Sequence, residues 1–278
     1  MVSNFHMPPT GFGPGSQTHD EGEELDYMAL PSGMRTYVPH TPEVEDTRAV
    51  APALALLTEI AAACDEAART GLHAEFDLGG LGAASRALMA ETLGEGEVSM
   101  KLHGIPALRV QESVFAGVWV LHGEGTDLVE VGPVPQVALT RAFTARRPGQ
   151  GAAAAWGPGV VNAPPILAEL TEKSGVFQRG QDPHVVNLTL LPHTEDDLLW
   201  LDAALGEGST VMLSRGYGNC RVTATATDHV WRVQFFNSMD TLILDTFEVT
   251  ELPEVVRAAP EDLGDSGGRL RAVVESIS

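Results

Sequence analysis

Hydrophobic and polar positions along this chain follow two periods, and the order in which the periods appear occurs twice. In ALALLTEIAAACDEAAR, Leu54, Leu57, Ile60 and Ala61 recur at the three- and four-residue spacing that lines one face of a helix. In VWRVQFF the period is two: Trp231, Val233 and Phe235 point one way and Arg232 and Gln234 the other, as in a strand with one buried face. Each half predicts a helix, with the shorter PILAELTEK opening the second half, then a strand in HAEFDL or HVVNLTLL. A second helix follows in GAASRALMAET or TEDDLLWLDAA, then the turn LGEG, then three or four strands. In TEDDLLWLDAA, Thr194 is the expected N-cap ahead of an acidic first turn, and Leu198, Leu199 and Leu201 flank Trp200 as the apolar side.

An offset of 112 residues carries Ala51 and Pro52 onto Ala163 and Pro164, and Leu93 to Gly96 onto Leu205 to Gly208. The same offset carries Met100 onto Met212, Arg109 and Val110 onto Arg221 and Val222, and Val118 and Trp119 onto Val230 and Trp231. Beyond the tryptophans the second copy is longer by a few residues, after which Pro135 matches Pro253. Two copies are too few for a solenoid and predict a pseudo-symmetric pair. The expected fold class is α+β: two tandem pseudo-repeats, each a mainly antiparallel sheet with helices packed on one side. The predicted boundaries are an extended, acidic, Pro/Gly-rich arm over 1–48, a first repeat over 49–144, a linker over 145–162 and a second repeat over 163–278. Met28, Leu30 and Tyr37 are candidate docking points of the arm, and Trp156 suggests that the linker packs on something.

The paired LGEG turns raise a chemical alternative, because glycine turns cradle phosphates. Phosphate loops run strand, loop, helix, so that the anion meets free N–H groups at a helix start. Here each turn follows a helix and precedes a strand, with no lysine beside it. The first glycine is therefore expected at a left-handed helix C-terminus and the second in the turn to the strand.

A formal charge of −21, from 38 acidic and 17 basic side chains, disfavours a nucleic-acid partner and suits a basic peptide or basic protein patch equally with plain solubility. No stretch of transmembrane length and no secretory leader is expected, which places the protein in the cytoplasm without stable membrane insertion. Cys64 and Cys220 lack disulfide or metal-ligand spacing, and no cofactor is expected. His73 and His184 each open the first strand of their repeat, which suggests a shared structural role. Cys220, His229 and Asp228 form an imaginable thiol constellation, but the first copy has Leu108 and Gly117 at the matching positions. In ELPEVVRAAPEDLGDSGGRLRAVV, Pro253 ends the last strand, residues 254–258 suit one helical turn, and Pro260, Glu261 and Asp262 suit the opening of another helix. Gly267 and Gly268 are expected to weaken a helix running through to Val274.

LGEGEVSM (93–100), HVVNLTLLP (184–192), GYGNCRVTAT (216–225), HVW (229–231) and above all LPEVVRAAPEDLGDS (252–266) with Arg269 and Leu270 carry a resemblance. Together with GPGSQ (13–17), they make the sequence similar nearly end to end to the HupH/HyaF/HoxQ hydrogenase expression and formation proteins. The resemblance implies a non-enzymatic accessory protein for maturation of an uptake [NiFe] hydrogenase. It would act on the iron–sulfur small subunit precursor before twin-arginine export, beside a thioredoxin-like accessory protein. The candidate partner-binding residues are Asp20, Glu21, Glu23, Glu24 and Asp26 in the arm and Glu254, Glu261, Asp262 and Arg269 in the C-terminal segment; no catalytic or metal-binding residue is assigned. The alternatives are a redox or cluster-handling protein using Cys220, which would need a homo-oligomer (a homodimer) or histidine ligands to hold a cluster, and a scaffold that binds only the thioredoxin-like companion.

Overall fold

Asp46 opens the first helix of the computed structural model, which describes residues 42, 44, 46–216 and 218–277. Its carboxylate accepts the Arg48 N–H, and α1 (Thr47–Thr70) runs until Gly71, at φ 69°, turns the chain out of the helix. Val50, Ala53, Leu57, Ile60, Ala61, Cys64 and Ala67 form its buried stripe, with Leu54 on the flank. Then come β1 (Ala74–Asp77), α2 (Ala83–Leu93), β2 (Val98–Leu102), β3 (Leu108–Glu112), β4 (Val118–Gly123), β5 (Thr126–Val131) and α3 (Gln136–Arg141). The second repeat supplies α4 (Ala163–Gly175), β6 (His184–Asn187), α5 (Glu195–Leu205), β7 (Thr210–Ser214), β8 (Asn219–Ala224), β9 (Val230–Phe236), β10 (Leu242–Val249) and α6 (Pro260–Ile277).

All ten strands share one antiparallel sheet in the order β1-β5-β4-β3-β2-β7-β8-β9-β10-β6. The two repeats meet where β2 pairs with β7, and Met100 lies opposite Met212, its own counterpart under the 112-residue offset. A pseudo-twofold axis therefore passes between these two methionines, perpendicular to the sheet. Each is at most 2% exposed, so the seam is core. The α+β pair of repeats expected from the sequence is thus one continuous sheet.

The axis leaves like parts on the same face. α4 and α5 cover the outer strands through Ile166, Leu170, Trp200 and Leu201 against Val186, Phe247 and Val249, while α1 and α2 cover Val118, Val129 and Val131. The opposite face carries Trp119 and Trp231, both fully buried, whose indole N–H groups donate to the carbonyls of Gly132 at 2.9 Å and Thr250 at 3.2 Å. α3 and the segment after β10 cross that face. Within α5, Thr194 and Asp197 form a capping box, and Trp200 and Leu201 are buried. Leu199, expected on the apolar side, is 69% exposed, because a helix turns it away from neighbours one and two positions along.

Both LGEG turns join helix to strand. Gly94 (φ 53°, ψ −157°) and Gly206 (φ 70°, ψ −169°) have positive φ as expected, yet their extended ψ lies in a region open essentially to glycine alone rather than in the left-handed helical well. Gly96 and Gly208 donate N–H groups to Glu112 O and Ala224 O at 2.7 and 2.8 Å. A Cβ on either would overlap backbone carbonyl oxygen.

Several expectations are corrected. Ala74 pairs with Val131 and His184 with Val249, so His184 corresponds to Ala74, and His73 lies one residue earlier. One residue in a strand reverses the face: His73 bonds Glu130 on β5, whereas His184 bonds Glu169 on α4, each at 2.7 Å. By length and composition α1 is apolar enough to cross a membrane, contrary to the sequence expectation, but its stripe packs against α2 and α6. Residues 145–162 do pack, as Trp156 suggested, and they lie against the second repeat: Arg147 meets Asp202 at 2.6 Å, Trp200 Nε1 donates to Ala154 O at 3.1 Å, and Trp156 packs beside Trp200 while staying 63% exposed. Finally, α6 runs unbroken through Gly267 and Gly268. A Cβ at Gly267 would stand 2.9 Å from Ala61 O and 2.7 Å from Asp65 Oδ1 of α1, whereas Gly268 faces open space. Close helix packing thus overrides the low helix propensity of glycine at the first of these positions.

That contrast sets an expected outcome. Gly268→Ala should raise stability by up to about 1 kcal/mol, and Gly267→Ala should lower it. Midpoints of chemical unfolding read both; equal shifts of the same sign would contradict the packing of α6 on α1.

Candidate functional site

The C-terminal segment crosses from the second repeat to the first. Leu252, Val256 and Ala258 are buried along the crossing, and the Ala258 N–H donates to Pro133 O at 2.9 Å. A short 3₁₀ turn, Glu254–Val256, then leads to α6, whose start at Pro260 is where the sequence places it. Leu263 and Leu270 are fully buried, Ser266 Oγ donates to Ala116 O at 3.0 Å, and Arg271 meets Asp65 of α1 at 2.6 Å. Most of the LPEVVRAAPEDLGDS motif is thereby used to anchor one repeat on the other.

The motif's acidic members remain outside this anchor. Glu254, Glu261 and Asp262 are exposed, and among the described residues Arg257 alone makes an ion pair with one of them, Glu254, at 3.9 Å. Arg269 instead turns inward: it donates to Val114 O at 2.9 Å and its guanidinium lies 5.0 Å over the Phe115 ring. Three of the four C-terminal candidates are thus exposed, while Arg269 has a packing role. Asp20, Glu21, Glu23, Glu24 and Asp26 lie outside the described residues.

Under α6 sits a group that the sequence reading missed, Glu112. It is 7% exposed, and its Oε1 accepts the Gly117 N–H at 3.2 Å. Burial pushes its carboxyl up to about 7, against the lowering effect of backbone N–H groups and with Glu97 and Asp262 adding to the rise. The signal was present in LRVQE, where Glu112 continues the core-facing alternation of Leu108 and Val110. In the second repeat Asp197 shows the opposite balance. Burial alone would raise it, but four backbone N–H groups, of Thr194, Val161, Asn162 and Ala163, hold it down to about 2. Its counterpart Ser85 makes the same helix-to-helix tie, donating to Ala49 O at 3.2 Å.

The thiol constellation is not assembled. Cys220 pairs with Phe235 near one end of β8–β9, whereas His229 precedes β9 at the other end, about 20 Å away at the rise of a strand. Cys220 is 2% exposed and Cys64 0%. Burial, the largest cause, pushes each thiol up to about 12, which withholds the nucleophilic thiolate. His229, at φ 62°, occupies the position of Gly117 and stacks 4.3 Å from Phe177. In the first repeat Leu263 of α6 fills the space above Gly117, so the HVW motif marks where the repeats differ. Among the described residues no three His, Cys, Asp or Glu side chains converge on one point suited to a metal ion.

Glu112 gives a pH prediction. Its carboxyl is raised from about 4.5 when unfolded to about 7 when folded, so the native state holds the proton longer and stability should fall as pH rises through that window. Glu112→Gln should abolish this fall and be roughly 1–3 kcal/mol more stable than the native chain at pH 8. Parallel pH profiles of the two proteins in urea unfolding would contradict the assignment.

Comparison with known proteins bears on the same segment. The family model described as the HupH hydrogenase expression protein, C-terminal conserved region, matches residues 50–143 and 160–277. Hydrogenase expression/formation protein HupH of Rhodobacter capsulatus is 64% identical over all of both chains. Hydrogenase expression/formation protein HoxQ of Cupriavidus necator is 42% identical over 99% of each, and the Hydrogenase-1 operon protein HyaF of Escherichia coli 31% over 99% of this chain and 96% of its own. A solved structure, the hydrogenase expression protein HupH from Thiobacillus denitrificans, is 27% identical with a TM-score of 0.39, over 41% of this chain and 96% of its own. The two matched stretches coincide with the two repeats around the Met100–Met212 seam, and the chain belongs to the HupH family of hydrogenase expression/formation proteins.

Proposed function

We propose that this chain is a non-catalytic, cytoplasmic accessory protein of hydrogenase formation that binds the iron–sulfur small subunit precursor before twin-arginine export, in company with a thioredoxin-like accessory protein. Family membership supports the hydrogenase connection. The observation that carries the binding role is the exposure of Glu254, Glu261 and Asp262 on a segment whose apolar residues Leu252, Val256 and Leu263 are buried. Such a stretch attracts the basic residues of a twin-arginine signal, and attraction between exposed charges weakens as salt rises. The burial of both thiols favours this reading over one based on cysteine chemistry.

The test is copurification of the tagged chain with a small subunit precursor at low salt. Retention should be clear at 50 mM salt, weaken severalfold at 500 mM, and drop at least tenfold with Glu254→Lys, Glu261→Lys and Asp262→Lys combined. No retention of the precursor, together with unchanged export timing in a deletion strain, would overturn the proposal.

A further inference from the structure

Among the described residues, α1, α2, α4 and α5 cover the outer strands on one face of the sheet and leave its middle open. Along it one row of directly paired residues runs His122, Arg109, Lys101, Val211, Thr223 and Arg232 from β4 to β9. In the next row Leu213 pairs with Arg221, the counterpart of Arg109 under the repeat. Lys101, Arg109, His122, Leu213 and Arg221 are all exposed.

The order of charges here is unfavourable for the fold by itself. Lys101 lies directly opposite Arg109; like charges at such positions repel. The chain holds only 17 basic residues against 38 acidic ones, so mixed pairing was readily available. Carboxylates near the patch are engaged elsewhere: Asp127 bonds His122 at 3.1 Å and also pairs with Arg86, and Asp245 holds Arg232 at 2.6 Å. Glu97 lies just before β2, at the end away from Lys101, where its backbone oxygen accepts the Arg215 N–H at 3.1 Å and its carboxylate lies against Gly216. Lys101, Arg109 and Arg221 make no ion pair among the described residues. A cleft of about 180 Å³ between the end of α5 and β8–β9 adjoins the patch and shares Arg221 with it. Its own acids, Asp202 and Glu207, are held by Arg147.

We infer that this open sheet face docks an extended acidic segment of a partner protein, its carboxylates meeting Lys101, Arg109 and Arg221 and its apolar side chains resting on Val211 and Leu213. Charge complementarity selects the occupant. Three cations within a few strands, without a carboxylate partner among the described residues and with Arg221 lying 5.6 Å over the Phe236 ring, match a short run of Asp and Glu, whereas a nucleic-acid backbone would bring many more phosphates against a chain of formal charge −21. The surface is opposite in sign to Glu254, Glu261 and Asp262, so the inference does not rest on the small-subunit reading, and either can fail without the other.

The full chain is titrated, at low salt, into a fluorescein-labelled twelve-residue peptide that alternates Asp or Glu with Leu or Val, and fluorescence anisotropy is read. A peptide with Gln in place of the acids is the comparison. The acidic peptide should bind at least tenfold tighter than the Gln peptide. Combined Lys101→Gln and Arg109→Gln should weaken it at least tenfold, as should Arg221→Glu, while Lys173→Glu on α4 should change it less than twofold. Lys101→Glu supplies a second readout: it relieves the repulsion from Arg109, so the thermal midpoint should rise while peptide binding falls. Equal binding of the two peptides, native-like binding by the double variant, a lowered midpoint for Lys101→Glu, or tighter binding of a 20-nucleotide single-stranded DNA would overturn the inference.

Discussion

The pairing of β2 with β7 is the constraint from which the remaining architecture follows. With Met100 opposite Met212, every strand of one repeat finds its counterpart at the same distance on the other side of the seam. Neither repeat then presents its inner strand as an open edge, and the two outer edges that remain, β1 and β6, are four residues each; short edges limit uncontrolled strand addition. The same axis puts α1 and α2 on the same face as α4 and α5, over the outer strands of each repeat.

Symmetry is broken at the chain's connections, and the breaks hold the halves together. The segment leaving the first repeat lies on the second, through Arg147 and Ala154, and the segment leaving the second lies on the first, through Ala258 and α6. The asymmetry is visible at one position. Gly117 leaves room for Leu263, while His229 fills the equivalent place with its own ring against Phe177. A motif such as LPEVVRAAPEDLGDS therefore combines two tasks, anchoring through Leu252, Val256 and Leu263 and display through Glu254, Glu261 and Asp262.

Much of this was legible in the chain because local chemistry and the fold agree. The duplication, the alternation of Trp231, Val233 and Phe235, the Thr194 cap and the start of α6 all reflect short-range rules that the packing leaves in force. What was hidden depends on contacts between distant residues. Propensity condemns Gly267, and only the approach of α1 explains it. A one-residue slip separates His73 from His184, and no spacing rule reveals which face a strand's first residue takes. The basic patch escaped for the same reason: Lys101, Arg109 and Arg221 are scattered in sequence and become neighbours only through strand register. The charge total of −21 pointed away from it.

Two repeats that fold as one unit about a buried seam have no separate unfolding step at that seam. Native-state hydrogen exchange of the intact chain tests this most directly, at the amides of Ser99–Leu102 and Thr210–Leu213. Protected seam amides are expected to exchange only through global unfolding, with the same free energy as the most protected amides of β4 and β9. Seam amides that exchange at markedly lower free energy, while the strands on either side stay protected, would contradict this.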